Sequence, residues 1–466
     1  MSVSAVASAP ALETQAPSAA AKLSLGPTAA LLFAARCLQY IVYGVTGVIL
    51  ARSLGADGRG IYGLINETAE ALASWPGLGL EMAAMYLVGQ RMFPLQRMFS
   101  NSLTWSIGMA VIAGGLIAAA LLSGERLLGM DARDLSIALA GACLMTITDG
   151  ACEFLLPLGK ILPYTAVKVL IPVVRLIGIT AIAIGVGLSI QSAAGIWLLS
   201  FALGSAVTIF FLSRHVQIKP GFDSKSFKAQ ASYGIRGHTG WILQALNHRL
   251  DVFLVGGFIG AEGVGRYLVG VNLAELSWWV PLTLGTVLFP KASAMDGISN
   301  FAMSAATCRR TLVVTALATL GLLIICRPAI PLVYGSDFGP SVGVFLILAP
   351  SGVLYTVHKV LGSSLSANGM PQSVLFGGMV SLPATIGLNI ALIPYIGIEG
   401  AAIASDIAYL INSAVVLAIF RARSGISIRE TLVFNRKDWA VFKATTAGYW
   451  KTYVLRQPAT LPAGSE

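Results

Sequence analysis

The chain has 466 residues, 56% of them hydrophobic and 11% charged, with a net charge of +10 and a mean hydropathy of +0.78. A soluble domain of this length carries about 25% charged residues, so the composition excludes an ordinary soluble enzyme or binding module and points to an all-α polytopic membrane protein. Five scattered cysteines (37, 143, 152, 308 and 326) lack CxxC or other ligand spacing, which argues against a disulfide framework or a metal centre.

Residues 1–28 are rich in Ala, Ser and Pro without the basic start and compact apolar core of a cleavable signal; they read as a disordered lead-in. A membrane-crossing helix needs roughly 20 apolar residues. That criterion predicts twelve spans, at about 29–51, 61–86, 101–123, 135–157, 163–188, 193–213, 234–258, 266–289, 308–327, 341–364, 373–394 and 398–420. The runs are too long and too uniformly apolar for barrel strands. The pairs 135–157/163–188 and 373–394/398–420 are joined by very short loops and are expected to form antiparallel hairpins.

The halves are thus 29–213 and 234–420, joined by a basic loop over 214–233, with a basic tail at 421–466 in which aromatic residues interleave with lysine and arginine. Twenty of the 31 basic residues fall on the side of the termini and the 214–233 loop, six on the opposite side and five within spans. This asymmetry places both termini in the cytoplasm and accounts for the net charge without nucleic acid. The tail is expected to lie on the anionic inner leaflet.

One segment recurs. Leu54-Gly-Ala-Asp-Gly-Arg-Gly-Ile-Tyr62 is echoed by Ile259-Gly-Ala-Glu-Gly-Val-Gly-Arg-Tyr267, aligning Gly55, Gly58, Gly60 and Tyr62 with Gly260, Gly263, Gly265 and Tyr267. Six spans in each half then give parallel repeats related by an axis along the membrane normal, with the glycine turns facing outward.

Ionisable side chains inside spans cost free energy unless they face a partner or a watery cavity, and here they fall in stripes. Arg36 shares a helical face with Gln39, Tyr40 and Tyr43; Glu67 and Glu70 lie in span 2, Asp149 and Glu153 in span 4, Lys168 and Arg175 in span 5. In the second half, Gln244, His248 and Asp251 share a face with Arg249 beside them. Glu275 lies in span 8, Lys359 and His358 in span 10, and Asp406 in span 12. Private pairs, such as Asp149/Glu153 with Lys168/Arg175, explain some of these. Stripes on at least six spans imply a water-filled cavity lined by both halves. No Walker A loop, Ser/His/Asp set or HExxH is present, and the loops are too short for a roomy catalytic site, so a transporter is expected rather than an enzyme.

Four stretches resemble a known family. Ile49-Leu-Ala-Arg-Ser-Leu-Gly-Ala-Asp-Gly-Arg-Gly-Ile-Tyr62, Leu78-Gly-Leu-Glu-Met-Ala-Ala-Met85, Leu250 to Tyr267 and Ile396-Gly-Ile-Glu-Gly-Ala-Ala-Ile-Ala404 are similar, in order and spacing, to Wzx-type polysaccharide flippases of the multidrug/oligosaccharidyl-lipid/polysaccharide (MOP) superfamily. The resemblance implies two MATE-like six-helix lobes around a cavity that opens alternately to each side of the inner membrane. It also implies a polyprenyl-(pyro)phosphate-linked oligosaccharide as substrate, no cofactor, and polysaccharide polymerase or export machinery as partners. On that reading Arg36, Lys168, Arg175, Arg249 and Lys359 are the candidate cations for the phosphates, and Glu67, Glu70, Asp149, Glu153, Asp251 and Glu275 the candidates for ion coupling. A MATE-type cation-coupled drug exporter and a membrane polysaccharide polymerase or ligase are the alternatives.

Overall fold

The structure is a computed structural model that describes residues 25–74, 77–123, 130–293, 295, 297–370, 372–436 and 438–440. The described residues form an all-helical fold. Its elements are α1 (Leu25–Ser74), α2 (Leu80–Gly89), α3 (Leu95–Ser123), α4 (Ala132–Glu153), α5 (Ile161–Gly185), α6 (Ile190–Ser213), α7 (Ser224–Phe258), α8 (Ala261–Ala274), α9 (Trp279–Ser293), α10 (Gly297–Ala329), α11 (Ser341–Leu348), α12 (Ser351–Ala367), α13 (Gln372–Ile396), α14 (Ile398–Ser424) and α15 (Ile428–Leu432). Seven helices among the described residues are singly long and apolar enough to cross a membrane, and the bent pair α11/α12 makes an eighth. Each predicted apolar segment lies on one helix or on a helix pair: span 2 is the end of α1 plus α2, span 8 is α8 plus α9, and span 10 is α11 plus α12. Most of the 1–28 lead-in and the tail beyond residue 440 lie outside the described residues.

The loop expected after span 1 is helical. α1 runs through it, broken at Gly55, whose φ of 67° and ψ of −174° are open to glycine alone at low cost. Its repeat partner Gly260 takes φ 91° and ψ −172° between α7 and α8. The same residue therefore makes the same reversal in both halves.

Behind each reversal the repeated glycines serve a second purpose: the two turns pack against each other. A Cβ on Gly60 would lie 1.7 Å from the Ala261 carbonyl oxygen, and one on Gly265 would lie 2.0 Å from that of Ala56. Backbone meets backbone reciprocally, as in small-residue seams between membrane helices. Arg52 reinforces this end by donating from Nε and Nη2 to the carbonyls of Val333 and Leu332, at 2.7 and 2.5 Å.

The connection between halves is shorter and firmer than the 214–233 loop expected from sequence. α7 begins at Ser224, capped by the Asp223 carboxylate, which accepts from Ser226 N at 3.1 Å. The preceding strand of chain is laced to α3. Gln96 donates to Gln217 O and accepts from Gln217 N, both at 2.8 Å. Thr104 bonds Gly221 and Asn101 accepts from Asp223 N at 2.9 Å. Buried Gln230 then reaches Leu80 O and Ser102 Oγ at 3.0 and 2.9 Å. The first turns of α7 are thus fastened to the first half. Among the described contacts α13 and α14 form the expected hairpin, while α5 packs on α1 and α6 rather than along α4.

Candidate functional site between the two halves

The break at Gly55 aims the second part of α1 at α7, and this brings Glu67 of the first half to Arg249 of the second. Arg249 Nε lies 3.5 Å from Glu67 Oε2 and its Nη1 lies 3.2 Å from Glu275 Oε1, with Nη2 donating to Glu275 Oε2 at 3.4 Å. One cation thus holds two carboxylates across the junction. The Arg249 side chain is 31% exposed and that of Glu67 15%, so the cluster is neither dry nor open. An opening of about 350 Å3 lies against it, lined by Glu67, Glu70 and Ala71 on one side and Leu246, Arg249 and Phe253 on the other. A larger hollow of about 580 Å3 between α1, α3 and α4 is lined by Leu72, Trp105, Met109, Leu116 and Leu139 among others and carries no ionisable side chain beyond Cys143. The charged opening holds three of the predicted residues, Glu67, Glu70 and Arg249, and the larger hollow holds none of them.

The first half keeps a separate cluster. Lys168 Nζ is 2.7 Å from Asp149 and 3.9 Å from Glu153; Tyr164 OH donates to Glu153 at 3.3 Å, and Gln39 donates to the Lys168 carbonyl at 2.6 Å. One cation is thus shared by two carboxylates within the first half. Arg175, two turns farther along the same face of α5, pairs with no carboxylate among the described residues. Its guanidinium lies over the rings of Tyr43 and Phe201, at 5.7 and 5.8 Å, and its Nε is buried without an acceptor.

Arg36 and Lys359 come from opposite halves and lie within electrostatic range of each other. Neither makes an ion pair or side-chain hydrogen bond among the described residues. Lys359 is seated on α9 at Gly285, where a Cβ would come within 3.0 Å of its Cγ. One helical turn beyond Arg36, Tyr40 meets Trp279 with ring centroids 3.9 Å apart, a second contact between halves. Unpaired cations from both sides of the junction can accept an anion's charge without first surrendering a carboxylate.

Asp251 sits elsewhere. It is 2% exposed in the interior of the second half and accepts from Tyr267 OH at 2.5 Å, Ser405 Oγ at 2.7 Å and Val252 N at 2.8 Å. These bonds satisfy it in place, and it does not join the junction cluster. Sequence reasoning missed the counterpart in the first half. The repeat offset puts Thr46 where the second half has Asp251, and among the described residues Tyr62, the partner of Tyr267, has a buried hydroxyl with no acceptor and neighbouring Arg59 a buried Nε in the same condition. It also missed an aromatic cluster in which Trp278 stacks on Tyr355 at 4.7 Å and meets His248 and Tyr409 edge-on at 5.0 and 5.3 Å. Among the described residues no three His, Cys, Asp or Glu side chains converge as a metal site.

Residues 160–343 match the family described as polysaccharide biosynthesis protein. The chain is 23% identical over 386 residues to the probable low-salt glycan biosynthesis flippase Agl15 of Haloferax volcanii, covering 81% of this chain and 78% of that one. It is 26% identical over 183 residues to the probable flippase AglR of the same organism, covering 37% and 38%. Its fold is similar to an inward-facing multidrug resistance MATE transporter (TM-score 0.70, 16% identity, 83% and 94% coverage). It is equally similar to the lipid II flippase MurJ in an inward closed conformation (TM-score 0.69, 14% identity, 93% and 94% coverage). The chain thus has the all-helical fold of these MATE and MurJ structures, and in sequence it is similar to a polysaccharide biosynthesis family over residues 160–343 and to two probable flippases.

Proposed function

We propose that the protein moves polyprenyl-(pyro)phosphate-linked oligosaccharide across the cytoplasmic membrane for surface or exopolysaccharide synthesis, by alternating access between its two halves. The observation that carries this reading is the pair of unpaired cations, Arg36 and Lys359, contributed by opposite halves to one junction. A phosphate or diphosphate bridging them gains charge-assisted hydrogen bonds from both halves at once, and the ligand's own charge then favours the conformation in which they approach.

In this mechanism Arg249 does not meet the substrate as a free cation. It is the latch between halves, and separating Glu67 from Arg249 and Glu275 is part of the conformational change. Ion coupling, where it operates, acts on Glu67, Glu70 and Glu275, because protonating or cation-pairing these carboxylates loosens the latch. The paired set Lys168, Asp149 and Glu153 serves mainly to hold α4 to α5, and Arg175 is a further first-half cation, beside Arg36, without a carboxylate and available to acidic sugars. Both termini face the cytoplasm, and the glycine turns face outward.

The test is the fate of lipid-linked oligosaccharide in cells lacking the gene. Accumulation on the cytoplasmic leaflet with loss of the surface polymer, restored by the wild-type gene, supports the reading. One observation favours the drug-exporter alternative: the opening at Arg249 is bordered by Glu67 and Glu70 and backed by Glu275, a net acidic surround suited to an organic cation. Normal glycan export with new sensitivity to cationic drugs selects that alternative.

A further inference from the structure

Beyond α14 the chain does not trail away from the bundle. Gly425 ends the helix in the left-handed conformation (φ 71°), and residues 426–436 and 438 fold back against the second half. Ser427 and Glu430 form a capping box that starts α15. Ile426 and Leu432 pack on a core built from Leu288 of α9, Cys308 of α10, Val360 and Leu361 of α12, and Phe420 of α14. Asp438 then locks the strap. Its carboxylate is fully buried and takes Arg309 Nε at 2.7 Å and Arg310 Nε at 2.8 Å, both from α10. Arg309 also donates to the Glu430 carbonyl. Two arginines closed around one buried acid form a directed, charge-assisted contact rather than a loose surface pair.

The outer surface of this strap is of a different kind. Arg421, Arg423, Arg429 and Arg436 are all exposed, and among them stand Ile428 at 43%, Val433 at 52% and Trp439 at 52% exposure. The one exposed acid of the segment, Glu430, is occupied by the Ser427 backbone and hydroxyl at 3.1 and 2.8 Å. Apolar and aromatic side chains interleaved with arginine, on an element pinned at the end of a membrane bundle, match the interfacial layer of a bilayer, where arginine meets headgroup phosphate and tryptophan takes the boundary.

We propose that residues 421–436, with Asp438 and Trp439, form a fixed platform for anionic phospholipid headgroups, held in register by the Asp438 clamp on α10. The platform bears on α10, both through α15 and through the clamp of Asp438 on Arg309 and Arg310. Lipid binding does not depend on the substrate assigned above, and the test therefore reads lipid rather than transport.

The full-length protein is placed in nanodiscs containing either brominated phosphatidylglycerol or brominated phosphatidylcholine, and the quenching of Trp439 is taken as the difference between wild type and Trp439→Phe. Quenching should be stronger with the anionic lipid and should weaken with salt. Replacing Arg421, Arg423, Arg429 and Arg436 with glutamine should abolish the preference, at roughly fivefold per arginine. Asp438→Asn should also lose it, because the strap leaves its register, while the helical content is unchanged. Equal quenching by the two lipids, or an anionic preference that survives the four-arginine variant, overturns the proposal. If Asp438→Asn is folded and keeps the full preference, the clamp has no part in it.

Discussion

The reciprocal glycine contact yields the most decisive perturbation. Gly60 lies in helical backbone, so Gly60→Ala brings no φ penalty and on propensity alone favours the helix by about 1 kcal/mol. Its cost is the close approach. The new Cβ would stand 1.7 Å from Ala261 O and 2.5 Å from its carbonyl carbon, where ordinary contact begins near 3.4 Å. The two turns must therefore separate by about 1.7 Å, and since the obstructing atoms are backbone, no side-chain rotation relieves them. Overpacking of this kind costs about 1–3 kcal/mol. It is felt only where the turns touch, so it shifts the closed-to-open ratio at this end roughly 5- to 150-fold. Spin labels at exposed Asp57 and Glu262, in a background lacking reactive cysteines, report the separation by pulsed dipolar distance measurement. Gly60→Ala and Gly265→Ala should each move the distribution to longer distance, and Gly47→Ala, where a Cβ meets nothing within 4 Å, should not. A folded Gly60→Ala protein with the wild-type distribution would refute the reasoning.

Lys359→Ala should reduce translocation at least tenfold yet leave thermal stability within about 0.5 kcal/mol of wild type, because no ion pair is lost. Lys168→Ala should lower thermal stability by about 1 kcal/mol at most, because Asp149, which loses its partner, is 47% exposed. Arg249→Ala exposes Glu67 and Glu275 to each other without their shared cation; translocation should fall, and Glu67→Gln in the same chain should recover part of the lost stability. Burial pushes the Asp438 carboxyl up, but the hydrogen bonds from Arg309, Arg310 and Asn435 outweigh it and hold the group below the usual carboxylate range. Its contribution is therefore complete above about pH 4 and is lost as pH falls through its folded value. Amide exchange in residues 428–436 should accelerate below that point, and Asp438→Asn should show the faster rate already at neutral pH.

Long apolar runs made the helices legible in sequence, because a run of 20 such residues has few other uses, and the Lys168 pairing was legible because Asp149 and Glu153 share one face of a nearby helix. The repeat was legible too, but its role was not. Glycines at 55, 58 and 60 read as a turn, whereas only Gly55 turns the chain and Gly60 makes room for a backbone 200 residues away. The partners of Arg249 were hidden for the same reason: periodicity gives the face of a helix and says nothing about which helix it meets. Asp251 looked like a cavity acid until Tyr267 and Ser405 appeared beside it. The 214–233 segment looked slack because its bonds come from Gln96, Asn101 and Thr104, which carry no pattern of their own.

The most direct test of the central claim is reconstitution. Purified protein in vesicles carrying polyprenyl-diphosphate-linked oligosaccharide on one leaflet should speed its appearance on the other well above protein-free vesicles, and Lys359→Ala should remove most of that gain. Movement no faster than in protein-free vesicles, by a preparation that does transport organic cations, would contradict the account.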